Sequence, residues 1–294
     1  MSQTAVVPLS GTLDRPALRG RPVSHAESVL AWSVALVAAL LLTAAFLFLS
    51  AGGRWFVVET PSMGVAAPVG TLVLDLPVDV ATLEVGDIVT FETAANPDVV
   101  YTHRIVSIDA DGGLHTRGDI NGATDPWTLT QDDVIGAPAL LVPHIGWLFR
   151  AAPILLIGTL IILTLTSAFT DRVTRTCLRI AGGALTTAYA GFVLKPFVNV
   201  TTITNTSSPD GVDATVVSSG IFPVRVDAVG GNTVHLEDGQ VGSVVIHELS
   251  ENGHYQLMSN IDLDPVGWIA LIALCAVPLV ACLVVGRVEA VRPS

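Results

Sequence analysis

Lysine is all but missing from this chain. Lys195 is the only one, and every other basic residue is arginine. Charge as a whole is scarce: 14% of residues are Asp, Glu, Lys or Arg, against roughly 25% in an ordinary soluble domain. What charge exists leans acidic, with 26 carboxylates against 14 bases for a net −12. That balance leaves no basic surface for phosphates and excludes a nucleic-acid binder. The shortage of charge excludes a disordered chain and a coiled coil. Cysteine is sparse too, with three in 294 residues, and no His/Cys cluster has metal-ligand spacing. No metal or other cofactor is expected.

Apolar residues fill the space that charge leaves. They make up 51% of the chain, and the mean hydropathy is +0.64. Residues 30–50 and 266–286 are uncharged runs of bilayer-spanning length, and 151–169 is nearly as long. A fourth run, 180–198, is rich in Gly and Thr and carries Lys195 near one end, where the ammonium can snorkel to the interface. It reads either as a span or as a buried or re-entrant segment. The first run is longer than the core of a cleaved signal peptide and has no small-residue cleavage site before Arg54, so it is expected to remain as an anchor.

Charge between the runs predicts the topology. Residues 1–29, 170–179 and 287–294 together hold 8 Arg and 4 acids, whereas 51–147 and 199–265 hold 4 Arg and 22 acids. Basic loops stay in the cytoplasm. The expected organisation is therefore a cytoplasmic tail (1–29), helix (30–50), exported domain (51–147), helix (150–169), cytoplasmic loop (170–179), helix (180–198), second exported domain (199–265), helix (266–286) and cytoplasmic tail (287–294). Trp55, Trp147 and Trp268 fall where an outer aromatic belt would place them. Cys177 falls in the basic loop, and Cys275 and Cys282 in the last run, so neither exported segment can hold an internal disulfide.

Both exported segments read as β structure. Residues 70–76, 87–91 and 99–108 are Val-, Ile-, Leu- and Thr-rich runs, and Asp111-Gly112-Gly113 predicts a hairpin turn into 114–117. In the second segment 233–236 and 243–246 alternate, with Gly230-Gly231-Asn232 as a turn. The fold class expected is membrane-anchored and mostly β, with two exported β domains and about four transmembrane helices.

Three groups in the first exported segment suggest hydrolytic chemistry. Ser62 lies in Glu59-Thr60-Pro61-Ser62-Met63-Gly64, and His103 in Tyr101-Thr102-His103-Arg104; Asp119 and Asp125 follow. A serine hydroxyl needs a base to take its proton, and imidazole suits that task near neutrality. A carboxylate on the other ring nitrogen would fix the tautomer. On spacing alone, His103 is equally a structural strand residue, and Gly118-Asp119 an ordinary turn.

The segments together resemble a known family. An anchor, then Pro61-Ser62-Met63, Gly86-Asp87-Ile88-Val89-Thr90-Phe91, Thr102-His103-Arg104-Ile105 and Arg117-Gly118-Asp119, in that order over residues 55–147, look like type I signal peptidase. Histidine in place of lysine marks the endoplasmic-reticulum-type branch, which also occurs in archaea and Gram-positive bacteria. The resemblance covers about a third of the chain and does not extend to 148–294.

It implies a signal-peptidase-like β domain in which Ser62 is the nucleophile and His103 the general base. Asp125 would orient that base, with Asp119 as a second, supporting acid. The Thr60 hydroxyl would join the Ser62 amide in an oxyanion hole, since Pro61 has no N–H. The 87–91 strand would be the groove edge that pairs with an extended substrate, with Ile88 and Val89 lining small-residue pockets. The chain departs from the family's pattern in Gly64-Val65-Ala66-Ala67, which delays a proline to Pro68, and in Ile120, which precedes Asn121. Both departures bear on fine specificity.

The implied protein is a multi-pass serine endopeptidase of the plasma membrane. Its peptidase domain would be extracytoplasmic, and its partners preprotein signal peptides, the lipid bilayer and the secretion machinery. The alternative is a catalytically silent membrane adaptor or surface-assembly factor on the same fold. A small transporter is disfavoured, because the spans lack interior acids.

Residues 199–265 give no functional signal. Their acids fit a solvated surface, salt adaptation or a substrate-selecting face. Asn199-Val200-Thr201 and Asn205-Thr206-Ser207 match the glycosylation pattern as chance does in Thr-rich sequence. His235, His247 and His254 are not spaced as metal ligands.

Overall fold

The computed structural model describes residues 25–208, 211–247 and 255–290. The expected tails beyond these limits, and His254, lie outside the described residues. The chain divides into two compact units, Met1–Ser50 and Ala51–Ser294. The described part of the first is one helix, α1 (His25–Ser50), apolar on all sides and with no buried residue in its Ala31–Ser50 stretch.

The second unit opens with an antiparallel sheet of six strands: β1 (Arg54–Val57), β2 (Leu72–Leu76), β3 (Ile88–Thr93), β4 (Asn96–Ile108), β5 (Leu114–Arg117) and β6 (Val134–Val142). Their order is β1-β2-β6-β3-β4-β5. Alternation along β3, β4 and β5 turns Val89, Phe91, Ile105 and Leu114 into one core, which Leu129 completes from the loop that follows. The predicted 111–113 turn joins β4 to β5, with Gly112 at positive φ and Asp109 N donating to Gly113 O.

Six further strands form the second β domain: β7 (Val200–Ser208), β8 (Gly211–Ser218), β9 (Val224–Ala228), β10 (Thr233–Leu236), β11 (Val241–Ile246) and β12 (Leu257–Ile261). They make two three-stranded sheets, β10-β9-β12 and β11-β8-β7. One core, with Val216 and Val244 from one sheet and Val224, Val226 and Leu236 from the other, joins them.

Three helices complete the unit: α2 (Ile145–Thr166), α3 (Arg172–Leu194) and α4 (Pro265–Ala290). With α1 they make four helices long and apolar enough to cross a membrane. Helix boundaries depart from the apolar runs. The third run was expected at 180–198, after a loop at 170–179, but α3 starts at Arg172 because Asp171 caps it, accepting from Thr174 N at 2.6 Å. It stops at Leu194, where Lys195 turns left-handed at φ 50°.

The Gly and Thr residues that weaken this run as a span are its packing surface. A Cβ on Gly158 of α2 would come within 2.3 Å of Thr186, and one on Gly182 within 2.9 Å of Ile162, so α2 and α3 lie antiparallel in close contact. Cys177 of α3 and Cys282 of α4 face one another. Both β domains therefore lie at one end of this bundle, where α2 begins, α3 ends and α4 begins.

Trp147 was expected in the outer aromatic belt and is instead buried, 8% exposed, against Gly70. Trp55 and Trp268 are half exposed. A Cβ at Gly70 would sit 2.1 Å from the Trp147 indole nitrogen, and φ there is +87°, so glycine is required on both counts.

The first sheet also buries a carboxyl group. Asp75 on β2 is 1% exposed, and neither oxygen has a hydrogen-bond partner among the described residues. Burial pushes its pKa from 3.8 up to about 6. The folded state thus binds this proton more tightly than the unfolded chain does. The stability it contributes is present below the unfolded value, falls as pH rises through about 6, and is level above that. Asp75→Asn, with the same shape and no charge, is expected to flatten that slope and to melt above wild type in mild alkali. Thermal unfolding in detergent across this pH range checks it.

Candidate active site

The nucleophile candidate sits on a constrained turn. After β1 the chain reaches Thr60 in extended conformation (φ −119°, ψ 152°), and Pro61 then starts a 3-10 turn over Pro61–Met63. Met63 is 1% exposed and pins the turn from inside. From outside, the Ser62 carbonyl accepts a hydrogen bond from Ile120 N at 3.0 Å. Gly118 leaves room for this approach, since a Cβ there would lie 2.8 Å from Ser62 O.

The base candidate belongs to β4, opposite Val89 of β3. Alternation turns His103 inward, where it is 6% exposed with Phe91 and Tyr101 packed about its ring. Its Nε2 lies 3.1 Å from Ser62 Oγ, and its Nδ1 2.7 Å from Asp125 Oδ2. The same Asp125 oxygen accepts from the Thr116 hydroxyl at 2.7 Å, and Asp125 N donates to Thr116 O at 2.9 Å. Asp125 is thereby fixed to β5 through side chain and backbone together. Serine, imidazole and carboxylate form one hydrogen-bonded line from segments 41 and 22 residues apart. The Thr60 hydroxyl is 3.4 Å from Ser62 Oγ, on the exposed side of the nucleophile.

Asp119 stands apart from this line. Both its oxygens are taken by Arg104, at 2.8 and 2.6 Å, and Arg104 also donates to Gly86 O at 2.9 Å. The Asp119 bond is the main cause holding the guanidinium pKa above its ordinary value. Asp119 acts on the loop that carries Ile120, and its effect on Ser62 is indirect. His115 is paired with Asp109, and His144 faces Asp238.

The expected substrate edge requires correction. The 87–91 strand was expected to offer a free edge lined by Ile88 and Val89. Instead β3 pairs along one side with β4 and on the other with β6 at Thr90 and Phe91, and Val89 is fully buried in the core, so it lines no open pocket. The open cleft, about 340 Å³, lies elsewhere: residues 56–60 and Ser62 form one wall, 98–103 the other. β1 pairs only with β2, and β4 gains its second partner, β5, only from Arg104 onward. Both walls are therefore free strand edges among the described residues. Pro97, which has no N–H to offer a ladder, lies in the exposed stretch that opens β4.

Sequence reasoning missed the cleft and Thr116. The cleft depends on tertiary pairing and leaves no local signal. Thr116 left one: it shares the inward face of β5 with Leu114, and a polar residue on a buried strand face needs a partner. Comparison with protein-family models and with curated proteins finds no match for this chain.

If the line of three groups activates Ser62, a fluorophosphonate probe will label it faster than a free serine. His103→Ala and Asp125→Asn are expected to slow labelling by about 10³-fold or more, with Thr116→Val intermediate. Equal rates in wild type and His103→Ala would remove the base assignment.

Proposed function

We propose that the protein is a membrane-bound serine endopeptidase that removes signal peptides from exported preproteins. What supports this reading is the hydrogen-bonded Ser62–His103–Asp125 line opening on a cleft between two free strand edges. An extended peptide inserted there gains backbone hydrogen bonds from both sides by strand addition. Residues 56–60 and 98–102 then choose side chains, in place of Ile88 and Val89.

The chemistry follows from the geometry. Ser62 Oγ attacks the scissile carbonyl carbon as His103 Nε2 takes the hydroxyl proton, and Asp125 stabilises the imidazolium that forms. The Ser62 amide and the Thr60 hydroxyl are the donors proposed for the developing oxyanion; losing one such donor typically costs ~10²–10³ in rate. As the intermediate collapses, the C–N bond breaks and the imidazolium returns its proton to the leaving amine. Water, deprotonated by His103, then hydrolyses the Ser62 ester and frees the signal peptide.

The membrane placement is part of the proposal. The acidic β domains lie at one end of the α2–α4 bundle, with Arg172, Arg175, Arg179 and Arg287 towards the other. The positive-inside rule then puts both β domains outside the plasma membrane.

Purified protein in detergent is expected to convert a preprotein to its mature form, and Ser62→Ala to do so at no detectable rate. Binding without cleavage by the wild type would favour the adaptor reading. A reporter active only in the cytoplasm should work when fused after Arg175 and fail at Gly211. Activity at Gly211 would mean that 180–198 does not span and that the count of four crossings is wrong.

A further inference from the structure

We infer that the second β domain is a positioning element for the nucleophile: the turn between β10 and β11 seats Gly239 on the Gly64–Val65 backbone, just past Ser62, and sets Asp238 beside His144. The inference rests on the proposed role of Ser62 and assigns work to a domain in which the sequence shows none.

The contact is backbone against backbone. A Cβ on Gly239 would lie 2.5 Å from Gly64 O, 2.6 Å from its carbonyl carbon and 2.8 Å from Val65 N. A Cβ on Gly64 would meet Ile120 Cγ2 at 2.7 Å and Gly239 O at 3.3 Å. Gly64 is therefore held between Ile120, from the loop that anchors Ser62, and the turn of the second domain. Both glycines have positive φ, +52° at Gly64 and +74° at Gly239, so neither site accepts another residue without strain.

The turn itself is stiff. Gln240 N donates to Glu237 O at 3.0 Å, and Glu237 N to the Gln240 side chain at 2.9 Å. Gly239 N donates to Ser218 O, and Ser218 N to Gln240 O, each at 3.0 Å, so the turn is bonded to the end of β8.

Asp238 sets the same turn beside α2. Its side chain is 13% exposed and lies 3.5 Å from Nδ1 of His144, the residue before α2, a charge contact rather than a hydrogen bond. Gly146, in the first turn of that helix, donates to Gly70 O at 2.8 Å. The chain from Gly64 to Gly70 is thus bracketed, by the Gly239 turn at one end and by α2 at the other. A free nucleophile loop samples many positions of Ser62 Oγ; one clamped on two sides samples few. Misplacement by about 1 Å can cost ~10²-fold in rate.

The test uses the full chain in detergent, with three readouts: kcat and KM on a preprotein, the rate of fluorophosphonate labelling at Ser62, and hydrogen exchange of residues 61–66. Gly239→Ala is expected to lower kcat and the labelling rate ~10- to 100-fold, to leave KM within about twofold, and to raise exchange at 61–66, with exchange in β8 and β9 unchanged. If β8 and β9 lose protection in that variant, Asp238→Ala replaces it. It removes the link to α2 without opening the core, and a smaller loss of kcat and labelling is expected, partly restored in Asp238→Asn. Wild-type labelling and wild-type exchange at 61–66 in a variant whose second domain is intact would overturn the inference. Failure of the wild type to cleave preproteins overturns the peptidase reading alone, because labelling and exchange still report on the clamp.

Discussion

The hydrogen bond from Ile120 N to Ser62 O is the interaction on which the reactive geometry depends. Each of the three groups in the line comes from a different segment. His103 is held by a strand paired to β3 at that residue and to β5 from the next one on, and Asp125 by side-chain and backbone bonds to Thr116. Ser62 has no strand to hold it. Its turn is attached to the loop bearing Asp125 through this one backbone bond, which forms because Gly118 lets the two segments approach. Such a bond is worth only about 1 kcal/mol net in stability. Its effect is geometric: it sets the distance from which the imidazole receives a proton. The Arg104–Asp119 pair acts one step behind it, fixing the loop to β4 and to the Gly86 carbonyl.

Much of the fold was legible because strands and turns announce themselves locally. Residues 114–117 and 233–236 were read with the observed limits, each delimited by a Gly-containing turn and alternating over its whole length. β4 begins three residues before its expected start, because Asn96-Pro97-Asp98 has loop composition and gains its extended conformation at an unpaired edge. Helix ends were read less well. A search for uncharged runs cannot see the Arg-bearing first turns of α3, whose start is fixed by Asp171, nor the six residues of α2 before Ala151. At the site, Ser62, His103 and Asp125 were legible as a motif and come together in space. Val89 belongs to the core because sequence alternation does not tell a buried strand face from a groove wall. That difference lies in what packs on each face and edge, and β6, from far along the chain, joins β3 at Thr90 and Phe91.

The helical part shows the same limit from the opposite direction. A run weakened by glycine and threonine has lower mean hydropathy than its neighbours, 1.3 for Arg172–Leu194 against 2.2 and 2.8 for the helices it packs between. Those small residues let α2 approach within backbone distance, and Arg179 spends its donor on Thr166 at the turn between the two helices. Association of helices in lipid rests on such close packing, since apolar contact with a neighbour is no better than contact with lipid tails. The least hydrophobic helix is therefore the central one.

The contact between Gly64 and Gly239 has a consequence for inheritance. At Gly239 an added methyl group meets the Gly64 backbone, which no change of rotamer relieves; at Gly64 it meets the Ile120 side chain first and the Gly239 carbonyl behind it. The two positions, far apart in the chain, therefore share one contact. A stretch ending before residue 199 would carry all three groups of the line and still present a bare Gly64 carbonyl where a second domain normally rests. The domain built on β1–β6 is thus not a self-contained surface in this chain. Any lineage that lost or exchanged residues 199–265 would have to rebuild the surface beside its serine at the same time.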